Sequence, residues 1–140
     1  MYQLRGKLSI VMPAYNEEAL IYNSIMQTLS IVEQFAPDME IIAVNDGSKD
    51  KTKQEIERAI RDDAKQPHPV VPGMRVSGTR IKLVTSNKNR GKGNAIISGI
   101  SQAEGDYIAF VDADLELNPA QLEGLSLIHI SEPTRRRGIS

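Results

Sequence analysis

Three acidic residues lie close together in the sequence, Asp112 and Asp114 in Asp112-Ala113-Asp114 and then Glu116, directly after the apolar run 107–111. Such a run is typical of a buried β-strand, and carboxylates at its end repel one another unless a proton or a cation relieves the charge. Mg²⁺ and Mn²⁺ take oxygen ligands and leave positions for the phosphates of a substrate. Because alternate side chains of an extended chain point the same way, the spacing predicts that Asp112, Asp114 and Glu116 bind Mg²⁺ or Mn²⁺. The alternative is that one Asp caps a helix and the other is solvated.

A further acidic residue, Asp46, ends another apolar run and is followed by Gly47 and Ser48. At the end of a strand its carboxylate could accept hydrogen bonds from a ribose or from the N–H edge of a base. The Asp-Gly-Ser sequence also forms a common turn, in which the Asp side chain bonds to nearby backbone. Both interpretations stay open on this residue alone.

A basic stretch with two glycines, NKNRGKG at 87–93, precedes a helical pattern. Backbone N–H groups and the positive end of a helix favour anions, so we expect this stretch to bind a pyrophosphate. Lys92 is the best placed of its cations, whereas Lys88 and Arg90 are explained equally well as solvated charges. The stretch matches neither G-x-x-x-x-G-K-S/T nor G-x-G-x-x-G, so it identifies no function by itself.

The segments that must position these residues are four apolar runs that alternate with helical patterns. We predict strands at 8–12, 40–44, 81–84 and 107–111. We predict helices at about 17–35, from a cap at Ser48 or Asp50 to about 63, at 92–103, and from near Pro119. This alternation predicts an α/β fold, a mostly parallel sheet with helices on both faces. Pro13 should end the first strand, and Asn16 should cap the first helix. Ligands of such sheets bind at the carboxyl ends of the strands, so the polar segments should border one crevice.

Composition excludes several classes of function. The chain of 140 residues carries 17 Lys and Arg against 18 Asp and Glu, a formal net charge of -1, so no long-range field draws it to nucleic acid. With no Trp and 4% aromatic residues it offers no base-stacking platform. The absence of Cys and the presence of only two His exclude a thiolate zinc site. No secretory leader is evident, and no apolar run approaches the ~20 residues that cross a bilayer, so we expect a soluble, cytoplasmic chain.

Two segments fall outside the alternating pattern. The stretch 64–80 holds three Pro and two Gly and is predicted to be a surface loop. After about Leu125 the sequence SLIHISEPTRRRGIS has no period of either kind. We therefore predict a domain at 1–125 and a non-native or disordered tail at 126–140, which resembles translated adaptor sequence. A native flexible tail is the alternative.

Four segments together resemble the ordered motifs of family 2 glycosyltransferases, which have the GT-A fold. They are IVMPAYNEE, AVNDGSKDKT, NRGKGNAIISGI and GDYIAFVDADLELNP, within residues 8–122. Within that family they are most similar to the dolichyl- and polyprenyl-phosphate sugar transferases. The resemblance implies that a sugar is transferred, with inversion, from a UDP- or GDP-linked donor to an acceptor that we expect to be a polyprenyl or dolichyl phosphate.

The same resemblance implies which residues meet the donor. Pro13, Tyr15 and Glu17 would lie against the nucleoside, and Asp46 would contact its base or ribose. Lys92 remains the expected contact of the diphosphate.

For the metal, the resemblance implies that Asp112, Asp114 and Glu116 hold it on the donor diphosphate, with Glu116 standing where this branch commonly has Gln. A divalent ion there stabilises the charge that builds on the departing nucleoside diphosphate. A lipid phosphate acceptor is already anionic near neutral pH and needs no general base. We expect the fold to be truncated after the fourth strand, so that the acceptor half and any membrane association of the parent protein belong to further sequence.

Two other functions compete with this interpretation. A sugar-phosphate nucleotidyltransferase has a similar sheet, but its first strand leads into a Gly-rich loop, whereas here the first strand leads into 13–17, Pro-Ala-Tyr-Asn-Glu. The other alternative is a nucleotide-binding fragment without turnover of its own.

Overall fold

The computed structural model describes residues 5–66 and 78–114 and the backbone of 127–129. In chain order the elements are β1 (Leu8–Ala14), α1 (Ile21–Val32), β2 (Met39–Asp46), α2 (Thr52–Ala64), β3 (Ile81–Ser86), α3 (Lys92–Gln102), β4 (Tyr107–Phe110) and β5 (Leu127–His129). The predicted alternation of strands and helices is confirmed from β1 to β4. All eight residues of β2 are buried, as are six of the seven in β1, which explains why these central strands are continuous apolar runs.

The strands form one sheet in the order β3-β2-β1-β4-β5. β1 pairs in parallel with β2 and with β4, β2 pairs in parallel with β3, and β5 runs antiparallel to β4. The predicted α/β class with a mostly parallel sheet is therefore confirmed. Because the first four strands run the same way, their carboxyl ends lie along one edge of the sheet.

Helices cover both faces of the sheet, as predicted. On one face, α1 and α2 pack through buried residues that include Ile21, Ile25, Leu29 and Ile56. On the other face, α3 packs Ala95 against a smaller cluster that includes Val11, Ile42 and Val44. The α1 residues recur at spacings of four, which explains why the sequence pattern identified this helix.

The first helix begins later than predicted. It starts at Ile21, so Asn16 is not its N-cap, and no side chain caps it. Asn16 instead has a φ of 52°, in the left-handed region that Asn tolerates better than most residues. Its backbone N–H donates to the hydroxyl of Ser48 at 2.9 Å, and its side-chain oxygen accepts from the backbone N–H of Lys49 at 2.9 Å. Bonds to a neighbouring loop thus replace the predicted first turn of helix.

The prediction that Pro13 ends β1 is wrong, because the strand continues to Ala14 and Pro13 lies opposite Val44 of β2. The carbonyl of Val11 accepts from Val111 on the β4 side, and Pro13, two residues later, faces that same side. β4 pairs with β1 only as far as Val11. The missing N–H of Pro13 therefore costs the sheet no hydrogen bond.

The sheet has a fifth strand, although the sequence pattern predicts truncation after the fourth. β5, Leu127–His129, lies within the segment 126–140 that periodicity assigned to a tail, and it pairs with Tyr107–Ala109. Its three residues are too few to show a period. The assignment of the rest of that segment as non-native or disordered stays a prediction.

Several predicted features lie outside the described residues, namely Glu116, the helix near Pro119 and most of the loop 64–80.

Ion pairs hold together the residues at the two ends of that loop. Arg80 forms an ion pair with the fully buried Asp63 at 2.7 Å and another with Glu33 at 2.8 Å. Across the described ranges, no helix combines the length and the apolar character needed to cross a membrane.

Candidate nucleotide-binding site

A pocket of about 440 Å³ opens at the carboxyl ends of β1, β2 and β4, beside the N-terminus of α3. It is lined by Pro13, Ala14, Tyr15, Glu17, Asp46, Asn89, Gly91, Lys92, Ala95, Asp112, Ala113 and Asp114. Seven of the eight residues predicted for the site line it, and the eighth, Glu116, lies outside the described residues. The structure therefore brings together side chains that are up to about 100 positions apart in the sequence.

The acidic wall of the pocket follows β4. The backbone N–H of Val111 donates to the carbonyl of Val11 at 3.1 Å, and the hydroxyl of Ser24 in α1 donates to the carbonyl of Ala113. The chain turns at Ala113 and Asp114, so the extended conformation on which the predicted alternation of side chains depends is not present here. Ala113 is buried at the turn, and Asp112 and Asp114 both line the pocket.

Charge in this wall is only partly balanced. The ammonium of Lys92, the first residue of α3, lies 2.6 Å from one carboxylate oxygen of Asp112. Desolvation raises the pKa of Glu17, and the nearby carboxylates of Asp114, Asp50 and Asp112 raise it further. The contribution of these carboxylates to the raised pKa of Glu17, beside the larger effect of desolvation, indicates that negative charges lie close together here.

The floor of the pocket is built around Asp46, which is only 4% exposed. One of its carboxylate oxygens accepts from the backbone N–H of Arg90 at 2.9 Å, and the other accepts from that of Gly91 at 3.0 Å. A side chain at Gly47, where φ is 70°, would place a Cβ 2.4 Å from the backbone of Lys88 and Asn89. The end of β2 and the loop before α3 are therefore fastened together at close range.

Asp46 thus has a positioning role that sequence reasoning missed. Acceptor capacity for the predicted contact with a base or ribose remains, because a carboxylate has about four lone-pair sites and two are used here. The partners of Asp46 lie 44 and 45 residues away and are backbone groups. No residue type in the sequence signals a backbone donor, so this contact leaves no mark in the pattern.

The loop that carries Tyr15 and Glu17 is held by side chains from the start of α2 and from the loop before it. The backbone N–H of Glu17 donates to the hydroxyl of Thr52 at 2.8 Å, and that of Glu18 donates to Asp50 at 3.2 Å. Asp50 also accepts from the backbone N–H of Thr52 at 2.9 Å, but Lys51 is the residue that precedes α2 and no side chain caps this helix, so the prediction that Ser48 or Asp50 caps it is wrong. The polar residues of AVNDGSKDKT therefore position the neighbouring loop as well as their own helix.

Comparison with known proteins decides the family. The family model described as Glycosyl transferase family 2 matches residues 9–129, which is most of the chain. The chain belongs to glycosyl transferase family 2.

Two relatives are much longer than this chain. The chain is 34% identical over 119 residues to the undecaprenyl-phosphate 4-deoxy-4-formamido-L-arabinose transferase of Enterobacter sp. (strain 638), covering 85% of this chain and 32% of that protein. It is 33% identical over 118 residues to the transferase of the same name from Pseudomonas fluorescens (strain SBW25), covering 84% of this chain and 30% of that protein. The chain thus spans about a third of the length of these relatives.

Solved structures share the fold. The mannosyltransferase PcManGT from Pyrobaculum calidifontis, in complex with GDP-Man and Mn²⁺, superposes with a TM-score of 0.64 at 23% identity, covering 85% of this chain and 31% of that one. The S. aureus TarS fragment 1–349, in complex with UDP-GlcNAc, superposes with a TM-score of 0.60 at 26% identity, covering 84% of this chain and 29% of that one. The GT-A fold predicted from the motifs is confirmed.

Two of the three predicted metal ligands, Asp112 and Asp114, lie among the described residues and line the pocket. Among residues 5–66 and 78–114, no group of three or more His, Asp or Glu side chains converges as a metal site. Glu116, the third predicted ligand, is outside the described residues.

Proposed function

We propose that this chain is the donor-binding part of a glycosyltransferase that moves a sugar from a UDP- or GDP-linked donor to a polyprenyl phosphate, with inversion and with the help of Mg²⁺ or Mn²⁺. One observation carries the proposal. Asp112 and Asp114 at the end of β4 face the same pocket as Asp46 at the end of β2 and Lys92 at the start of α3. Acidic and basic groups thereby border a single space that fits a metal-bound diphosphate.

The carboxylate oxygens of Asp112 and Asp114 are of the ligand type that a hard divalent cation prefers. A comparison within the chain supports this fit, because Glu40, a buried carboxylate at the opposite end of the sheet, is neutralised by Lys82 at 3.0 Å and accepts hydrogen bonds from Ser9 and from the backbone of Glu104. The pocket carboxylates have one ion pair among the described residues, from Lys92. Unbalanced carboxylates open to solvent are suitable ligands for Mg²⁺ or Mn²⁺.

The nucleoside end of the donor would lie between β1 and β2. Pro13 and Tyr15 supply apolar and aromatic surface there, Tyr15 being 42% exposed and so available for contact. Glu17 and Asp46 supply hydrogen-bond acceptors for ribose hydroxyls or for the N–H edge of the base. The fixed loops around these residues reduce the ordering cost of binding.

The diphosphate would lie at the N-terminus of α3. Gly91, with a φ of 93°, is the residue that precedes the helix, and the helix begins at Lys92. The unpaired N–H groups of a helix start and a lysine ammonium both favour negative charge. These groups would also stabilise the nucleoside diphosphate as it departs, and a bound divalent ion would supply further neutralising charge at the phosphate oxygens.

The acceptor is proposed from the relatives and from chemistry. The two relatives cited above are named for transfer to undecaprenyl phosphate. A phosphate monoester is anionic near neutral pH, so its attack on the anomeric carbon from the face opposite the leaving group needs no proton acceptor. A lipid of this kind would place the parent protein at the cytoplasmic face of a membrane.

A second function rests on the share of the relatives that this chain covers. Because the chain matches 30–32% of their length, it would bind donor nucleotide without completing the transfer. Nucleotide binding is therefore the activity to measure on this chain.

The experiment is thermal unfolding with UDP or GDP, with and without Mn²⁺, in the wild type and in Asp114→Ala. We expect stabilisation by nucleoside diphosphate that needs Mn²⁺, of about 2.7 kcal/mol at a concentration of 100 Kd, and its loss in the variant. Asp38→Ala is the matched control, because Asp38 lies beside the start of β2, at the other end of the sheet. The proposal would be overturned if UDP or GDP stabilised the chain equally with and without Mn²⁺, and equally in the wild type and in Asp114→Ala.

A further inference from the structure

The ion pair between Lys92 and Asp112 joins the two sides of the pocket. The lysine nitrogen lies 2.6 Å from one carboxylate oxygen, and the two side chains are 61% and 48% exposed. The pair connects the first residue of α3 to the residue that follows the end of β4 by two positions. Neither side chain is locked by burial, so the contact can open at little cost.

This ion pair competes with the proposed binding of Mg²⁺ or Mn²⁺ by Asp112. Mg²⁺ binds its oxygen ligands at about 2.0–2.1 Å, and an ammonium on the same carboxylate would lie within a few Å of the ion. Two cations at that separation repel each other. Lysine and metal therefore cannot both hold Asp112 at full strength.

The surroundings of Lys92 leave it room to move. A Cβ built at Gly91 or at Gly93, the residues on either side, would meet no atom within 4 Å. The space toward the start of α3 is where the phosphates of a donor are proposed to lie, and phosphate oxygens are good partners for an ammonium. Lys92 can therefore leave Asp112 without losing a partner once a diphosphate is present.

We infer that Lys92 is an exchangeable counter-ion of Asp112. In the donor-free pocket it neutralises Asp112 and weakens the binding of a free divalent cation. When a nucleoside diphosphate binds, Lys92 moves to the phosphates and Asp112 becomes available to the cation that the diphosphate carries. Lys92 is thus a positioning residue that makes the domain bind metal and nucleotide together, and this inference rests on the proposed metal-dependent function.

The test measures the binding of Mn²⁺ in the absence of nucleotide. The electron paramagnetic resonance signal of unbound Mn²⁺ decreases as the 140-residue chain is added and binds the ion. We expect Lys92→Met to bind Mn²⁺ about threefold to tenfold more tightly than the wild type, because one nearby positive charge is removed. The same variant should bind UDP and GDP more weakly when Mn²⁺ is saturating. Lys88→Met, the same charge change on an exposed residue of the same loop, should bind Mn²⁺ like the wild type.

A second pair of variants isolates the contact from general charge effects. In the Asp112→Asn background there is no carboxylate to neutralise, so adding Lys92→Met should give no gain in Mn²⁺ affinity. Circular dichroism confirms that each variant is folded, which we expect because both residues are largely exposed.

The outcomes separate this inference from the proposed function. If the wild type binds Mn²⁺ with nucleoside diphosphate but Lys92→Met binds Mn²⁺ alone no more tightly, the exchange is wrong and the proposed function stands. An equal gain in Lys88→Met or in the Asp112→Asn background also overturns the exchange. If neither the wild type nor Lys92→Met binds Mn²⁺ under any condition, the metal-dependent function fails and the exchange fails with it.

Discussion

At the scale of single residues, Asp46 shows how one side chain can organise a site. Its buried carboxylate divides its two oxygens between the backbone N–H groups of Arg90 and Gly91. The N-terminus of α3 is thereby fixed relative to the end of β2. A carboxylate is better suited to this than an amide, because both of its oxygens accept hydrogen bonds.

Replacing Asp46 should loosen the loop before α3. In Asp46→Ala both backbone donors lose their acceptor, at a cost of about 1–3 kcal/mol, and their amide hydrogens should exchange faster with solvent. Asp46→Asn retains one acceptor oxygen and should leave one of the two amides protected. Residue-resolved hydrogen exchange by NMR checks both.

Ser86→Ala is the control for that prediction, since it removes a hydroxyl that donates to Lys88 in the same loop but leaves the two amide acceptors in place. Unchanged protection of Arg90 and Gly91 in Asp46→Ala would show that the carboxylate does not hold the loop.

At the scale of elements, the close approach of α3 to the sheet places its first residues in the pocket. Gly99 makes this approach possible, because a Cβ there would lie 2.4 Å from one methyl of Val11 and 3.2 Å from one of Val44. Both valines are buried in the centre of the sheet and have little freedom to move.

We therefore expect Gly99→Ala to destabilise the chain by about 1–3 kcal/mol, through overpacking between α3 and β1. Gly93→Ala, in the same helix, meets no atom within 4 Å and should be neutral or stabilising by up to about 1 kcal/mol. Urea unfolding followed by circular dichroism compares the two. Equal stability of the two variants would contradict this account of the packing.

From β1 to β4 the elements and their order were predictable from the sequence, whereas β5 and the ends of several elements were not. Periodicity identifies α1 because Ile21, Ile25 and Leu29 form one buried stripe. The start of α1 depends on bonds from Asn16 and Glu17 to residues more than 30 positions away, which no local pattern records. Pro13 is tolerated in β1 because of where β4 ends, which is also a property of the assembled sheet.

The same division applies to the site. The seven described residues that were predicted converge because parallel strands present their carboxyl ends along one edge, a rule that needs only the order of elements. The ion pair from Lys92 to Asp112 and the bonds to Asp46 depend on side-chain and backbone geometry across the crevice. These contacts therefore became known only from the structure.

At the scale of the whole molecule, the two ends of the sheet differ in how far their carboxylates are neutralised by nearby lysines. At the amino ends of the strands, Glu40 is enclosed and balanced by Lys82, with a further contact from Lys7 at 3.9 Å. At the carboxyl ends, Asp112 and Asp114 line an open pocket. Among the described residues, their one ion pair is the contact of Asp112 with the exposed Lys92. This asymmetry is the basis for proposing that a cation binds at the carboxyl ends of the strands.

The position of the cation is the most direct test of that claim. Mn²⁺ added in substoichiometric amounts, in the presence of UDP or GDP, broadens the NMR signals of nearby backbone amides. We expect the strongest broadening at Asp112, Ala113 and Asp114, with signals from Glu40 and Gly105 at the other end of the sheet preserved. Broadening centred elsewhere, or spread evenly over the chain, would contradict it.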